Sequence, residues 1–179
     1  IAETALATKP ANLDALKETT INGTKINDLV LDRIAAIGEK IDLSYFEAIE
    51  AEQVVPYIHM GNKLACIVGF NKTINDIQVG KDVAMQVAAM NPVAIDKDFV
   101  SQETINKELE IGKEQARAEG KAEELLDKIA LGKLNKFYKE STLLNQEFIK
   151  DSKISVGQYL NSYDKQLTVV AFKRCSLTI

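Results

Sequence analysis

The chain has one histidine, two cysteines and three prolines in 179 residues. Each shortage excludes something. The lone His59 has no second His or Cys at usable spacing, which excludes the usual zinc arrangements. Cys66 and Cys175 are far apart and make no metal or redox motif; reduced thiols in a cytosolic protein are the simplest reading. Apolar runs stop short of the ~20 residues that a membrane helix needs. Basic residues do not dominate. The 22 Lys and Arg stand against 26 Asp and Glu, a formal net charge of −4, which argues against a nucleic-acid surface. No GxxxxGK[ST] or GxGxxG stretch occurs, so no nucleotide loop is recognisable. No convergent set of carboxylates, His or Cys offers acid–base or metal chemistry. What remains is 46% hydrophobic and 27% charged. That is an ordinary globular composition, long enough for one core or two small subdomains.

The most informative stretch runs from Val83 to Lys139. Val83–Met90 reads as a helix with Val83, Val87 and Met90 on one face, and Asn91-Pro92 stops it. From Ser101 to Glu140 there are nine acidic and eight basic residues and no proline. Strong helix formers dominate. Ile105, Leu109, Gly112 and Ala116 form a narrow apolar seam, as a two-helix coil uses. Glu119-Gly120-Lys121 interrupts the pattern with a turn. The seam resumes at Ala122, Leu125, Ile129 and Gly132, with Leu126, Leu131 and Leu134 facing the body. The small residues Gly112, Ala116 and Gly132 permit close approach of the two helices. About 18 helical residues at 1.5 Å each make an arm roughly 27 Å long.

The remaining elements read as follows. A helix ends at Lys9-Pro10, and a short one capped by Asn12 or Asp14 runs through Glu18. A turn at 21–24 leads to a helix over 28–37 that ends at Gly38. Alternation predicts a strand over 41–50, with Ile41, Leu43 and Tyr45 on one face. Two more strands, 54–59 and 63–70, flank the turn Met60-Gly61-Asn62. The polar run 71–79 is the candidate subdomain boundary. A short helix over 155–160 and a strand over 167–177 close the chain. His59 and Cys66 are the enzymatic alternative, a base and a nucleophile on neighbouring strands, but no third group orients the histidine.

Several motifs then stand in a telling order. They are Ala84-Met85-Gln86-Val87-Ala88-Ala89-Met90-Asn91-Pro92, Val100-Ser101-Gln102-Glu103, Lys113-Glu114-Gln115-Ala116 with Glu119-Gly120-Lys121, and Gly132-Lys133-Leu134-Asn135-Lys136-Phe137-Tyr138. Leu143-Leu144-Asn145-Gln146-Glu147-Phe148 and Ser155-Val156-Gly157 follow, and Tyr57-Ile58-His59-Met60-Gly61-Asn62-Lys63-Leu64 precedes. Each is weak alone. Their order and spacing resemble translation elongation factor Ts, the guanine-nucleotide exchange factor of elongation factor Tu, over essentially the whole chain.

The resemblance implies contact roles. The turn containing His59 and Gly61 lies close to the partner-facing surface, and Leu64 matches an apolar residue that touches elongation factor Tu. Gln86 stands where the family commonly has a histidine that contacts the partner's nucleotide domain. Glutamine keeps a hydrogen-bonding amide but carries no positive charge. Met60 and Asn62 stand where the family more often has glycine, and Lys63 where it more often has arginine. Glu119, Gly120 and Lys121 are the docking residues of the arm tip. The family also carries an N-terminal ubiquitin-associated-like helical domain and a Thr-Asp-Phe-Val segment tied to exchange. Neither is expected within these 179 residues, which implies binding with poor exchange.

The expectation is therefore an α+β protein of two small subdomains, 1–79 and 80–179. Each would hold a three-stranded antiparallel sheet with covering helices. An antiparallel helical hairpin, a coiled coil, would project over about 101–138. The function implied is binding elongation factor Tu and promoting GDP release, in the cytoplasm, without enzyme chemistry or a cofactor. No direct contact with nucleotide, nucleic acid or membrane is expected. The alternative is a homodimer, a structural domain that pairs through the hairpin and the last strand.

Overall fold

Capping residues set most helix ends. The computed structural model describes residues 1–177, and the chain divides into two units, Ile1–Ala48 and Ile49–Ile179.

In the first unit, α1 (Ala2–Thr8) ends at Lys9, which takes a left-handed φ of 46°. Asn12 begins α2 (Leu13–Glu18), accepting a 2.9 Å bond from the Ala15 amide. The two-residue strands β1 (Thr20–Ile21) and β2 (Thr24–Lys25) pair about Asn22-Gly23. Both turn residues have positive φ, as a tight Asn-Gly hairpin requires. Next, α3 (Ile26–Ile37) ends at Gly38, φ 76°. A small core of Ala5, Leu16 and Ile26 takes in Ile21, Leu43 and Phe46. Here one expectation fails: residues 41–50 form no strand. Leu43 and Phe46 turn to the same core although they are an odd number of residues apart. A strand would send them to opposite faces.

The second unit is built on a three-stranded antiparallel sheet. The strands β3 (Gln53–Ile58) and β4 (Leu64–Phe70) form a hairpin. Helix α4 (Ile77–Met90) starts six residues before the predicted Val83, because the Asp76 side chain caps it through the Gln78 amide at 2.9 Å. It packs directly on β3: a Cβ on Gly80 would lie 2.7 Å from Val55 Cγ2. Residues 71–79 thus join a helix to the sheet it covers, and the division of the chain falls at 48/49 instead of at the expected 79.

Ser101 caps α5 (Gln102–Ala118), and α6 (Leu126–Ser141) folds back against it. Then come β5 (Glu147–Phe148), β6 (Asp151–Ser155) and α7 (Val156–Tyr163), which opens with a Ser155/Gln158 capping box. The last strand, β7 (Val169–Ser176), pairs with β4, so the sheet order is β3-β4-β7. The α+β class is as read. A separate three-stranded sheet in each half is not: the first sheet takes its third strand from the far end of the chain, and β5-β6 has only two strands. The core of this unit lines up Val55, Val68 and Phe70 beneath Val83, Ala84 and Val87, with Leu143, Phe148, Val156 and Leu160.

The arm seam is half right. Gly112 and Ala116 are buried. A Cβ on Gly112 would lie 3.0 Å from Ala130 Cα, so the backbones meet there. On α6, however, the buried positions are Leu126, Ala130 and Leu134. Leu125 is exposed, and Gly132 has nothing near it. Leu125, Ile129 and Gly132 each stand one or two residues from a buried position, and Ala122 lies before the helix begins.

Candidate protein-docking surface

The turn end of the β3-β4 hairpin collects the first group of candidate residues. The His59 amide donates to the Leu64 carbonyl at 2.8 Å, and the Asn62 amide to the His59 carbonyl at 3.0 Å. Gly61 at φ 92° and Asn62 at φ 57° carry the turn, conformations natural to glycine and tolerated by asparagine. The turn lifts Met60 almost fully into solvent, 91% exposed. His59 is exposed, and its Nδ1 lies 3.0 Å from the Tyr57 hydroxyl. Leu64 is half-buried at the edge of the core. His59, Gly61 and Leu64 therefore share one end of one sheet. Arg174 on β7 braces the neighbouring helix end, its Nε donating to the Ala88 carbonyl at 3.1 Å.

Gln86 is elsewhere, and its side chain is fully buried. Its amide nitrogen donates to Gln146 Oε1 at 3.2 Å and to the Glu147 carbonyl at 3.1 Å. Its oxygen accepts from the Ile149 amide at 2.9 Å. A side chain so enclosed offers nothing to a partner's surface, which corrects the contact role expected of it. The cause is one of spacing. Gln86 lies one turn from both Asp82 and the core residue Val83, on the face of α4 that packs under the 146–150 segment.

The arm tip gathers the third group. Gly120, at φ 74°, turns the chain between the helices. Glu119, Gly120 and Lys121 are all exposed. Around them Arg117 Nε meets Glu123 at 3.0 Å, Lys133 meets Glu119 at 3.4 Å, and Lys113 meets Asp127 at 2.8 Å. The hydrogen bond with Lys113 and its charge hold the Asp127 carboxyl below the ordinary range. These pairs ride on an exposed surface and contribute little to stability. They leave a tip rich in both signs of charge.

One buried cluster escaped sequence reading. Asp82 accepts from Gln78 and Lys150, both at 2.6 Å, and from the Tyr159 hydroxyl at 2.8 Å. Burial favours the protonated carboxyl, but the bonds from Lys150, Gln78 and Tyr159 outweigh it and hold the pKa low. Burial, with hydrogen bonds to Tyr163 and Asp82, pushes the Tyr159 phenol up. The Tyr159 ring stacks on Phe148, centroids 4.1 Å apart. Only the i, i+4 spacing of Gln78 and Asp82 was visible locally; Lys150 and Tyr159 arrive through the fold.

The enzymatic alternative finds no geometry. Burial raises the Cys66 thiol to about 11, and its Sγ is turned to the Ala84 carbonyl at 3.0 Å. The His59 ring is engaged with Tyr57 instead. Among the described residues, no group of three or more His, Cys, Asp or Glu is arranged to hold a metal, and no helix is long and apolar enough to cross a membrane.

Comparison with known proteins places this arrangement. The family model described as Elongation factor TS matches residues 1–178. The chain belongs to the elongation factor Ts family. It is 50% identical over 177 residues to the elongation factor Ts of Cytophaga hutchinsonii, covering 97% of this chain and 64% of that protein. It is 49% identical over 178 residues to that of Porphyromonas gingivalis, covering 99% and 65%. It is 40% identical over 169 residues to that of Halothermothrix orenii, covering 92% and 56%. The chain thus spans 56% to 65% of the length of these three proteins. Members of this family are translation elongation factors, and the exposed hairpin end and charged arm suit a protein that works by contact.

Proposed function

We propose that this chain binds elongation factor Tu and promotes GDP release from it, as elongation factor Ts does. The observation that carries the reading is the family match over residues 1–178, in a chain where His59 and Gly61 at one place and Glu119, Gly120 and Lys121 at another lie exposed. His59, Gly61 and Leu64 form the docking edge of the body. Glu119, Gly120 and Lys121 form the docking tip of a projecting antiparallel coiled coil, α5–α6. Gln86 acts from behind the surface.

Such a role asks for no bond-making chemistry. An exchange factor that binds the nucleotide-free partner more tightly than the GDP-bound one must weaken GDP by the same factor. Each tenfold loss of GDP affinity takes ~1.4 kcal/mol of coupling. The test is labelled-GDP release from purified elongation factor Tu, with and without the 179-residue chain, beside direct binding. Saturable binding is expected, and the release rate measures how much of the exchange these residues carry. Absence of binding would sink the reading.

A second reading is favoured by one observation. The strand β7 lies at the edge of its sheet, and Val54 and Ile58 on β3 are exposed apolar residues. Pairing of two copies through this sheet would protect both features. Light scattering across a hundredfold dilution would separate the two: a dimer that survives dilution and ignores elongation factor Tu favours the second.

A further inference from the structure

Buried polar side chains concentrate where the arm returns to the body. Gln86 is 0% and Gln146 2% exposed. A primary amide in a dry interior must find a partner for each donor and acceptor. Gln86 uses both amide hydrogens, on Gln146 Oε1 and the Glu147 carbonyl, and its oxygen takes the Ile149 amide. Gln146 turns its own nitrogen onto the Glu140 carbonyl at 3.0 Å. That carbonyl belongs to the last turn of α6, which a helix leaves without an internal donor. The result is a relay from the middle of α4 to the last turn of the arm.

The other bonds at the root do a different job. The Val93 amide donates to the Ser141 carbonyl, Leu143 to Ala94, and Leu144 to Ile95, each at 2.9 Å. The Asn145 side-chain nitrogen donates to Asp96 Oδ1 at 2.7 Å. These bonds tie the ingoing and outgoing chains of the arm to each other. Leu143 and Ile95 also pack into the core, but apolar contact is non-directional.

We infer that Gln86 and Gln146 are positioning residues that set the direction in which α5–α6 leaves the body. Only one orientation of the root satisfies both amides, the two carbonyls and the Ile149 amide together. A tilted arm strands some of them away from water, where an unmet polar group is most costly. The inference rests on the docking reading only for its purpose: a two-place grip benefits from a preorganised angle. The angle itself is measurable with no partner present.

Spin labels at Lys121→Cys on the arm tip and Asn161→Cys on α7 report the tip-to-body distance by pulsed electron resonance. The 179-residue chain carries Cys66→Ala and Cys175→Ala as background. A single narrow distribution is expected. Replacing both amides together, Gln86→Leu with Gln146→Leu, keeps the interior apolar and broadens that distribution about twofold. Val83→Ala, a core truncation on the same helix, leaves it narrow, which separates aiming from general loosening. An unchanged distribution in the double variant overturns the inference. Should that variant fail to fold, the unsubstituted chain still decides. Its Ile149 amide, held by Gln86, exchanges with solvent only as slowly as the core does; rapid exchange there overturns the inference. A narrow, relay-dependent arm, together with no binding of elongation factor Tu by the unsubstituted, unlabelled chain, leaves the inference standing and sinks the docking reading.

Discussion

Gly112 and Gly132 sit on the two arm helices and respond to substitution in opposite directions. A methyl at Gly112 meets the Ala130 backbone at 3.0 Å. Gly112→Ala pushes the helices apart and destabilises by about 1–3 kcal/mol. Gly132 has open space around its Cβ direction, so Gly132→Ala stabilises by about 0.5–1 kcal/mol through the smaller entropy loss of alanine. Urea unfolding of the two variants checks the pair; shifts of the same sign would move the helix contact away from Gly112. Asp82 makes a second prediction at this scale. Its carboxyl is held below its ordinary value in the folded chain, against about 3.9 unfolded. Its contribution is therefore complete above the unfolded value and lost as pH falls through the folded one. Asp82→Asn lowers stability at pH 7 by about 1–3 kcal/mol, since asparagine carries no charge to meet Lys150 and keeps only one of the two acceptor oxygens that Lys150 and Tyr159 use. It also flattens the loss of stability below about pH 4. Thermal melts from pH 7 to pH 3 read both effects, and an unchanged acid slope would deny the Asp82 cluster its part.

The arm behaves as an element with its own contacts. Its second helix is held to the first by Gly112, Ala116, Leu126, Ala130 and Leu134, while its ion pairs lie in solvent. Removing the tip from Arg117 to Glu123 therefore leaves the seam nearer the body in place. Affinity for elongation factor Tu should fall tenfold or more, ~1.4 kcal/mol, with the melting transition of the body retained. Unchanged affinity would mean that the tip is not a docking element. Raising salt should slow association more than it speeds dissociation, because exposed charges act at a distance and are screened.

At the scale of the whole molecule, among the described residues one apolar cluster draws on positions 5 to 46 and the other on positions 55 to 172. Residues 38–52 between them form neither helix nor strand. Brief trypsin treatment should cut after Lys40, the one basic residue in that stretch. The fragment beginning at Ile41 should keep a cooperative unfolding transition. Collapse of that transition on cleavage would show that the second unit depends on the first for its stability.

Much of the local structure was legible because its causes are local. Asn12, Ser101 and Ser155 cap helices through backbone amides three residues away. Gly38, Gly61 and Gly120 take left-handed turns that most side chains resist, and Asn91-Pro92 ends α4 by its own conformational limits. The arm, its α5 seam and the family motifs belong to the same class. The rest depended on partners distant in sequence. Alternation over 41–50 promised a strand, but a strand exists only where another supplies its hydrogen bonds, and β4 takes β7 from about a hundred residues away. On α6 the choice between Leu125 and Leu126 was one of rotation, settled by where Gly112 lets the backbones touch. Gln86 is the clearest case. Its residue type promised an exposed amide, and only the segment from Gln146 to Ile149, folding back over α4, buried it and matched all its hydrogen bonds.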